Sequence, residues 1–162
     1  ESIVFNLSNA KTINDISGVY EEISENITTK KVIKKQEKNK NIKKKSSNEI
    51  IEFETQVIDG YTIYIGKNNF QNDYLSLKLS NPNDIWFHTK DIHGSHVILK
   101  ADKPVDDNIL VKCAEIAAKH SKAKFSSNVP VDYCLVQFVK KPHSAKPGMV
   151  IFTNNKTLNV KP

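Results

Sequence analysis

Arginine is absent. All 24 cationic residues are lysine, set against 18 acids for a net charge of +6. Positive contacts must then come from the compact lysine ammonium or from one of five histidines. That favours neutralising phosphates over bidentate reading of guanine edges. Cysteine is almost as scarce. Cys113 and Cys134 lie 21 residues apart within apolar patterns and have no CxxC partner, which reads as two buried thiols in a reducing compartment. No run approaches the roughly 18 apolar residues that a membrane-spanning helix requires. No GxSxG nucleophile elbow occurs, so serine-hydrolase chemistry lacks its usual strand-to-helix platform.

What remains is one domain's worth of chain with appendages. Hydrophobic residues make up 38% of 162, enough for a single core if part of the chain stays outside it. Because it opens on Glu1 rather than Met, the chain is expected to be part of a longer protein. Charge divides it into three. Residues 1–27 hold one lysine and five acids, residues 28–48 nine lysines and one glutamate, and residues 49–162 fourteen lysines and twelve acids. In the first part Ile3, Val4, Leu7 and Ala10, then Ile16, Val19, Ile23 and Ile27, fall at helical spacing, the expected end of a coiled-coil arm. The second part is too polar to fold alone and is expected to be a flexible, self-repelling linker. Such a lysine run either spaces two parts or lies along nucleic acid as a basic strap.

From Glu49 the pattern becomes globular. Apolar runs at 50–58 and 61–65 flank Asp59–Gly60, a strong hairpin signal. Residues 68–79 read as a short helix ended by Pro82, and 84–90 and 95–100 as strands about a turn at Gly94. Residues 106–122 give the clearest helix, with Ile109, Cys113, Ile116, Ala117 and His120 on one face, and aspartates at its start and lysines at its end. The run 131–141 is apolar on both faces and predicts a central strand. Residues 149–153 and 157–161 predict a closing hairpin. The order is ββαββαββ, a single compact α+β domain over 49–162.

The densest chemistry lies in DIWFHTKDIHGSH (84–96). Strand alternation sends Ile85 and Phe87 to one face and Trp86, His88 and Lys90 to the other. On an open face that row would stack an unpaired base and neutralise its phosphate; on a covered face Trp86 would simply be core. His88, His93 and His96 could be imagined around zinc, but their spacing matches no standard site. Asp91, Ser95 and His96 are the residue types of a hydrolytic triad, yet neighbours on a strand point to opposite faces. Gly94 and Ser95 could offer backbone N–H groups to a phosphate. A second basic turn, KKPHSAKPG (140–148), is stiffened by two prolines.

GKNNFQNDYLSLK (66–78), DIWFHTKDIHGSH (84–96) and KPHSAKPGMVIFTNNKTLNVKP (141–162) together resemble the NFACT-R domain, the C-terminal RNA-binding domain of RqcH- and NEMF-type ribosome quality control proteins. Bacterial members of that family are often labelled fibronectin-binding proteins. The resemblance covers essentially all of 49–162, and the acidic helix and lysine stretch before it look like that family's coiled-coil arm and joint. It implies a cytoplasmic, non-catalytic RNA reader without cofactor or metal. Its partners would be tRNA and the large ribosomal subunit, and its role the alanine tailing of nascent chains on stalled subunits. Its DxWFHxKD and GSH signatures fall on Asp84, Trp86, Phe87, His88, Lys90, Asp91, Gly94, Ser95 and His96. Its Asn-rich segment falls on Asn68, Asn69, Gln71, Asn72 and Asp73, and its KPG turn on Lys146, Pro147 and Gly148, preceded by Lys140 and Lys141. This chain has His93 where the family commonly has Pro, Ser144 where it often has Gly, and Lys67 where it commonly has Arg. The competing expectations are a fibronectin-binding surface adhesin and a metal-dependent RNA-processing enzyme.

Overall fold

The computed structural model describes residues 51–162. The expected helical arm (1–27) and linker (28–48), and the start of the expected domain at 49–50, lie outside them. Strands β1 (Glu54–Ile58) and β2 (Tyr61–Ile65) form the expected hairpin. Asp59 and Gly60 both take positive φ, 50° and 76°, the mirror-image two-residue turn whose twist matches that of the strands. Helix α1 (Asn69–Tyr74) starts where the Asn68 side chain accepts the Gln71 N–H at 2.9 Å. The expected helix then continues as a π-helical turn, Leu75–Leu79. The wider turn buries two successive residues, Leu75 and Ser76.

Strands β3 (Ile85–Thr89) and β4 (Val97–Leu99) follow, then helix α2 (Asp107–Lys119). The Asp106 side chain caps α2 by accepting the Ile109 N–H at 2.9 Å, Asp107 occupies its first turn and Lys119 its last, in the sense the helix dipole favours. The remaining strands are β5 (Val129–Leu135), β6 (Val139–Lys140), β7 (Ile151–Phe152) and β8 (Lys156–Val160). Six of the eight form one sheet in the order β1-β2-β4-β3-β5-β8, with every neighbouring pair antiparallel. The α+β class stands. The ββαββαββ order does not, because the run expected as one central strand over 131–141 breaks at a 3₁₀ turn, Val136–Phe138.

The break has a visible cause. The Val136 and Gln137 N–H groups leave the ladder and bond the carbonyls of Asp84 and Pro82 at 2.9 and 3.1 Å. Strand β6 can then cross the sheet and pair with β7, while β8 pairs with β5. The closing hairpin expected from 149–153 and 157–161 is therefore replaced by two pairings with earlier strands. Asp84 anchors this corner from its side chain as well. Its buried carboxylate takes the Lys100 ammonium at 2.5 Å and the Asn81 and Ala101 N–H groups at 2.7 and 3.1 Å.

Both faces of the sheet are covered. On one, Ile63, Ile65, Phe87, Val97, Leu99, Val129 and Val131 pack against Ile109, Cys113, Ile116 and Ala117 of α2. On the other, Trp86, Ile98 and Cys134 lie under Leu75, Val136 and Val139, with Phe152 close by. Burial raises the thiol of Cys113 to about 12 and that of Cys134 to about 11, so both are buried thiols as expected and inert near neutral pH. Trp86→Ala is expected to lower stability by about 3–5 kcal/mol, read as an earlier urea unfolding midpoint. The exposed β1 substitution Val57→Thr should stay within about 0.5 kcal/mol of the parent.

Candidate nucleic-acid interface

Trp86 has no exposed surface. The expected base-stacking row of Trp86, His88 and Lys90 is therefore corrected: only Lys90 stands exposed, while His88 is half-buried. The ring is sealed by Phe152, whose centroid lies 4.7 Å away, and by a histidine pair. His88 lies nearly parallel to it at 5.7 Å, and His96 meets it edge-on at 5.2 Å. Around this trio the Trp86 indole N–H is buried without a hydrogen-bond partner, whereas His96 and the nearby Asp132 are bonded. His96 Nδ1 sits 2.8 Å from Ser76 Oγ, and the His96 N–H donates to Asn72 Oδ1 at 3.0 Å. Asp132, opposite His88 in the ladder, accepts the Thr157 hydroxyl at 2.5 Å.

Burial pushes His88 down to about 4, partly offset by a backbone hydrogen bond at Gly94. It drives His96 well below the ordinary 6.5, with the neighbouring His88 adding to the fall. Near neutral pH both rings are uncharged, so neither offers a cation to phosphate. His96 takes its hydroxyl partner from Ser76, not from Ser95, which is also buried, while Asp91 lies exposed; the residues suggestive of a triad do not assemble. Among the described residues no three His, Cys, Asp or Glu side chains converge as metal ligands would.

The Asn-rich segment is a latch. Asp73 receives the Lys141 ammonium and, at 3.0 Å, the Gly148 N–H. Gln71 is buried and bonds the Lys67 N–H at 2.8 Å and the Glu52 carbonyl at 3.3 Å. Asn69 lies so close to Gly148 that a Cβ there would fall 2.6 Å from its Oδ1. Thus Asn69, Asp73, Lys141 and Gly148 hold the 140–148 loop against α1, leaving Lys140 and Lys146 exposed, while Gln71 and Asn72 tie α1 to the backbone of Glu52, Lys67 and His96. At the β3–β4 turn, the Lys90 N–H bonds the Pro130 carbonyl at 2.9 Å and the Ser95 N–H bonds the His120 carbonyl at 3.0 Å, while Gly94 bridges to Ser121.

The expected residues therefore divide into three groups: a neutral buried cluster, a latched basic loop and an exposed turn carrying Lys90 and Asp91. Sequence reasoning missed Ser76, Asp132 and Thr157. Alternation along β5 could have put Asp132 and Cys134 on one face, but only the strand register sets Asp132 opposite His88.

Two outcomes follow. Gly148 has φ +79°, so Gly148→Ala combines a strained backbone with the clash against Asn69 and should destabilise by about 1–3 kcal/mol, measured by thermal or urea unfolding. Between pH 6.5 and 4 the unfolded chain binds protons that folded His88 and His96 refuse. Stability is then fully present above the unfolded value and lost as pH falls through this window, by up to about 1.4 kcal/mol per pH unit per histidine. His96→Gln should make that slope shallower in urea titrations.

Residues 49–154 match the family described as NFACT protein RNA binding domain. The Bacillus subtilis protein named Rqc2 homolog RqcH is 43% identical over 162 residues, 100% of this chain and 27% of its own length. Mouse coiled-coil domain-containing protein 25 is 30% identical over 106 residues, 62% of this chain and 50% of its own. The solved C-terminal part of the fibronectin/fibrinogen-binding protein from Streptococcus suis matches with a TM-score of 0.76 at 33% identity, covering 100% of this chain and 62% of that one. The chain spans less than a third of the RqcH relatives it matches. With three separated sequence blocks brought together in one domain, and with the family match running through all but its last strand, the chain belongs to the NFACT protein RNA binding domain family.

Proposed function

We propose that this domain is the RNA-recognition module of a ribosome-associated quality control factor. In this role it contacts tRNA and ribosomal RNA on stalled large subunits in the cytoplasm and supports alanine tailing without catalysing a reaction itself. The observation that carries the reading, beside the family, is the Asp73 latch. A charged carboxylate holds the Lys141 ammonium and the Gly148 N–H together, fixing a proline-stiffened loop whose Lys140 and Lys146 face water. A preformed basic loop contacts a phosphate backbone with little ordering cost. The absence of arginine suits phosphate neutralisation more than base reading. The side chains most suggestive of catalysis, Ser95 and His96, are buried, which supports recognition over reaction.

A second reading has one specific support, the fibronectin/fibrinogen-binding name of the S. suis neighbour. Binding of RNase-treated chain to immobilised fibronectin at physiological salt would favour it.

The test is tRNA affinity across a salt series for the whole chain, and for a variant with the nine lysines at 28–48 replaced by glutamine. If the domain reads RNA, the glutamine variant still binds, with a shallower salt dependence. Adding Lys140→Ala or Lys146→Ala should then remove about 0.7–0.9 from the slope of log affinity against log salt per lost phosphate contact. Loss of all salt-dependent binding in the glutamine variant would assign the RNA contact to the lysine segment alone.

A further inference from the structure

Phe125 is 91% exposed, the most exposed large hydrophobic residue among those described. A lone exposed apolar side chain is ordinary; its setting here is not. The loop after α2 is tightly built. Ser121, fully buried, donates to the Ala118 carbonyl at 2.8 Å and accepts the Ala123 N–H at 3.0 Å. The Lys124 and Ser126 N–H groups close successive turns on Ser121 and Ala123 at 3.3 and 2.8 Å. Phe125 is thus carried outward on an ordered support, with the Lys124 ammonium 5.2 Å from its ring centroid.

The same loop is stitched to the β3–β4 turn. The Lys122 N–H bonds the His93 carbonyl at 2.9 Å, the Ser95 N–H bonds the His120 carbonyl at 3.0 Å, and Gly94 bridges to Ser121. Lys90, Lys119, Lys122 and Lys124 are all exposed on these adjoining segments, with Asp91 as the carboxylate of the turn. A largely exposed aromatic ring with the Lys124 ammonium beside it, on a loop bonded to segments that carry further exposed lysines, meets both needs of an unpaired nucleotide, a stacking plane for the base and cations for its phosphates.

We propose that the 121–128 loop and the adjoining β3–β4 turn form a stacking site for an unpaired RNA nucleotide, with the base on Phe125 and the flanking phosphates on Lys90, Lys119 and Lys124. This site rests on the RNA-binding reading and deepens it by naming a single-stranded element as the ligand. It also moves the aromatic platform from Trp86, which the structure buries, to a residue outside every motif of the family resemblance. Because stacking accepts any base, the site selects unpaired over duplex RNA and not one sequence over another.

The test uses the whole chain and its Phe125→Ala and Phe125→Trp variants, with a single-stranded RNA 12-mer and a duplex of the same strand as probes. Phe125→Ala is expected to weaken single-strand binding about 5- to 150-fold, leave duplex binding within about twofold and keep the salt slope, since no charge is removed. Phe125→Trp should bind as the parent does, and its new indole should be quenched on saturation. The native Trp86 is fully buried, so quenching reports position 125. Unchanged single-strand affinity in Phe125→Ala, or equal losses on both probes, overturns the stacking site while leaving RNA binding intact. Failure of the parent chain to bind either probe overturns both. Loss of binding to phosphatidylserine vesicles in Phe125→Ala, with RNA affinity unchanged, overturns it in favour of a membrane contact.

Discussion

Strand β3 carries a large aromatic on each face, Phe87 toward α2 and Trp86 away from it, both fully buried. Much of the remaining architecture follows from covering both. Helix α2 satisfies Phe87 in the usual manner of a helix on a sheet. Among the described residues no second long helix covers Trp86, and its cover is assembled from pieces: the π-helical turn with Leu75, the 3₁₀ turn with Val136, and the small ribbon that brings in Val139 and Phe152. The break after β5 makes this possible, and Asp84 secures it by using its carboxylate and its carbonyl at the same corner. A buried carboxylate fixed by an ammonium and two N–H groups is worth most as a geometric device, since removing any partner leaves a buried charge uncompensated.

That arrangement also separates the residues that look reactive from those placed to bind. The imidazoles of His88 and His96 sit beside Trp86 as neutral rings, His96 with the Ser76 hydroxyl as its partner. They contribute packing and hydrogen bonding at neutral pH rather than charge. Several cations that face water stand on or beside loops, Lys140 and Lys146 at one, Lys90, Lys122 and Lys124 on two others that are bonded together, with Lys119 at the end of α2 next to them. Loops held by backbone and carboxylate contacts present charge at fixed positions without placing it in the core, where desolvation would be costly.

Local patterns were legible where one chain segment decides them. The Asp59–Gly60 turn, the capped helix α2 and the alternation in β3 all rest on contacts within a few residues. The same reasoning failed for 131–141 and 149–161. A run apolar on both faces is consistent with one long strand or with a strand that turns and covers its own sheet, and the two differ only in contacts with Asp84 and Pro82, some fifty residues away in sequence. The candidate site divided in the same way. Its residue types were recognisable, yet the exposure of Trp86 was undecidable, because what covers it, Leu75 and Phe152, comes from opposite sides of the sequence.

Residue types and their order along the chain were enough for the class of the domain, the family its three blocks belong to, the buried thiols and the side-chain positive charge carried by lysine without arginine. These depend on composition, periodicity and order, which are properties of the chain before it folds. Tertiary structure alone decided which of the marked residues face water. It turned Asn69 and Asp73 into a latch, bound Gln71 and Asn72 to neighbouring backbone, left His88 and His96 neutral and raised Phe125 into solvent. Exposure and protonation are set by everything that packs around a side chain. In a sheet covered on both faces, that surrounding is supplied by strands and turns far away in the sequence.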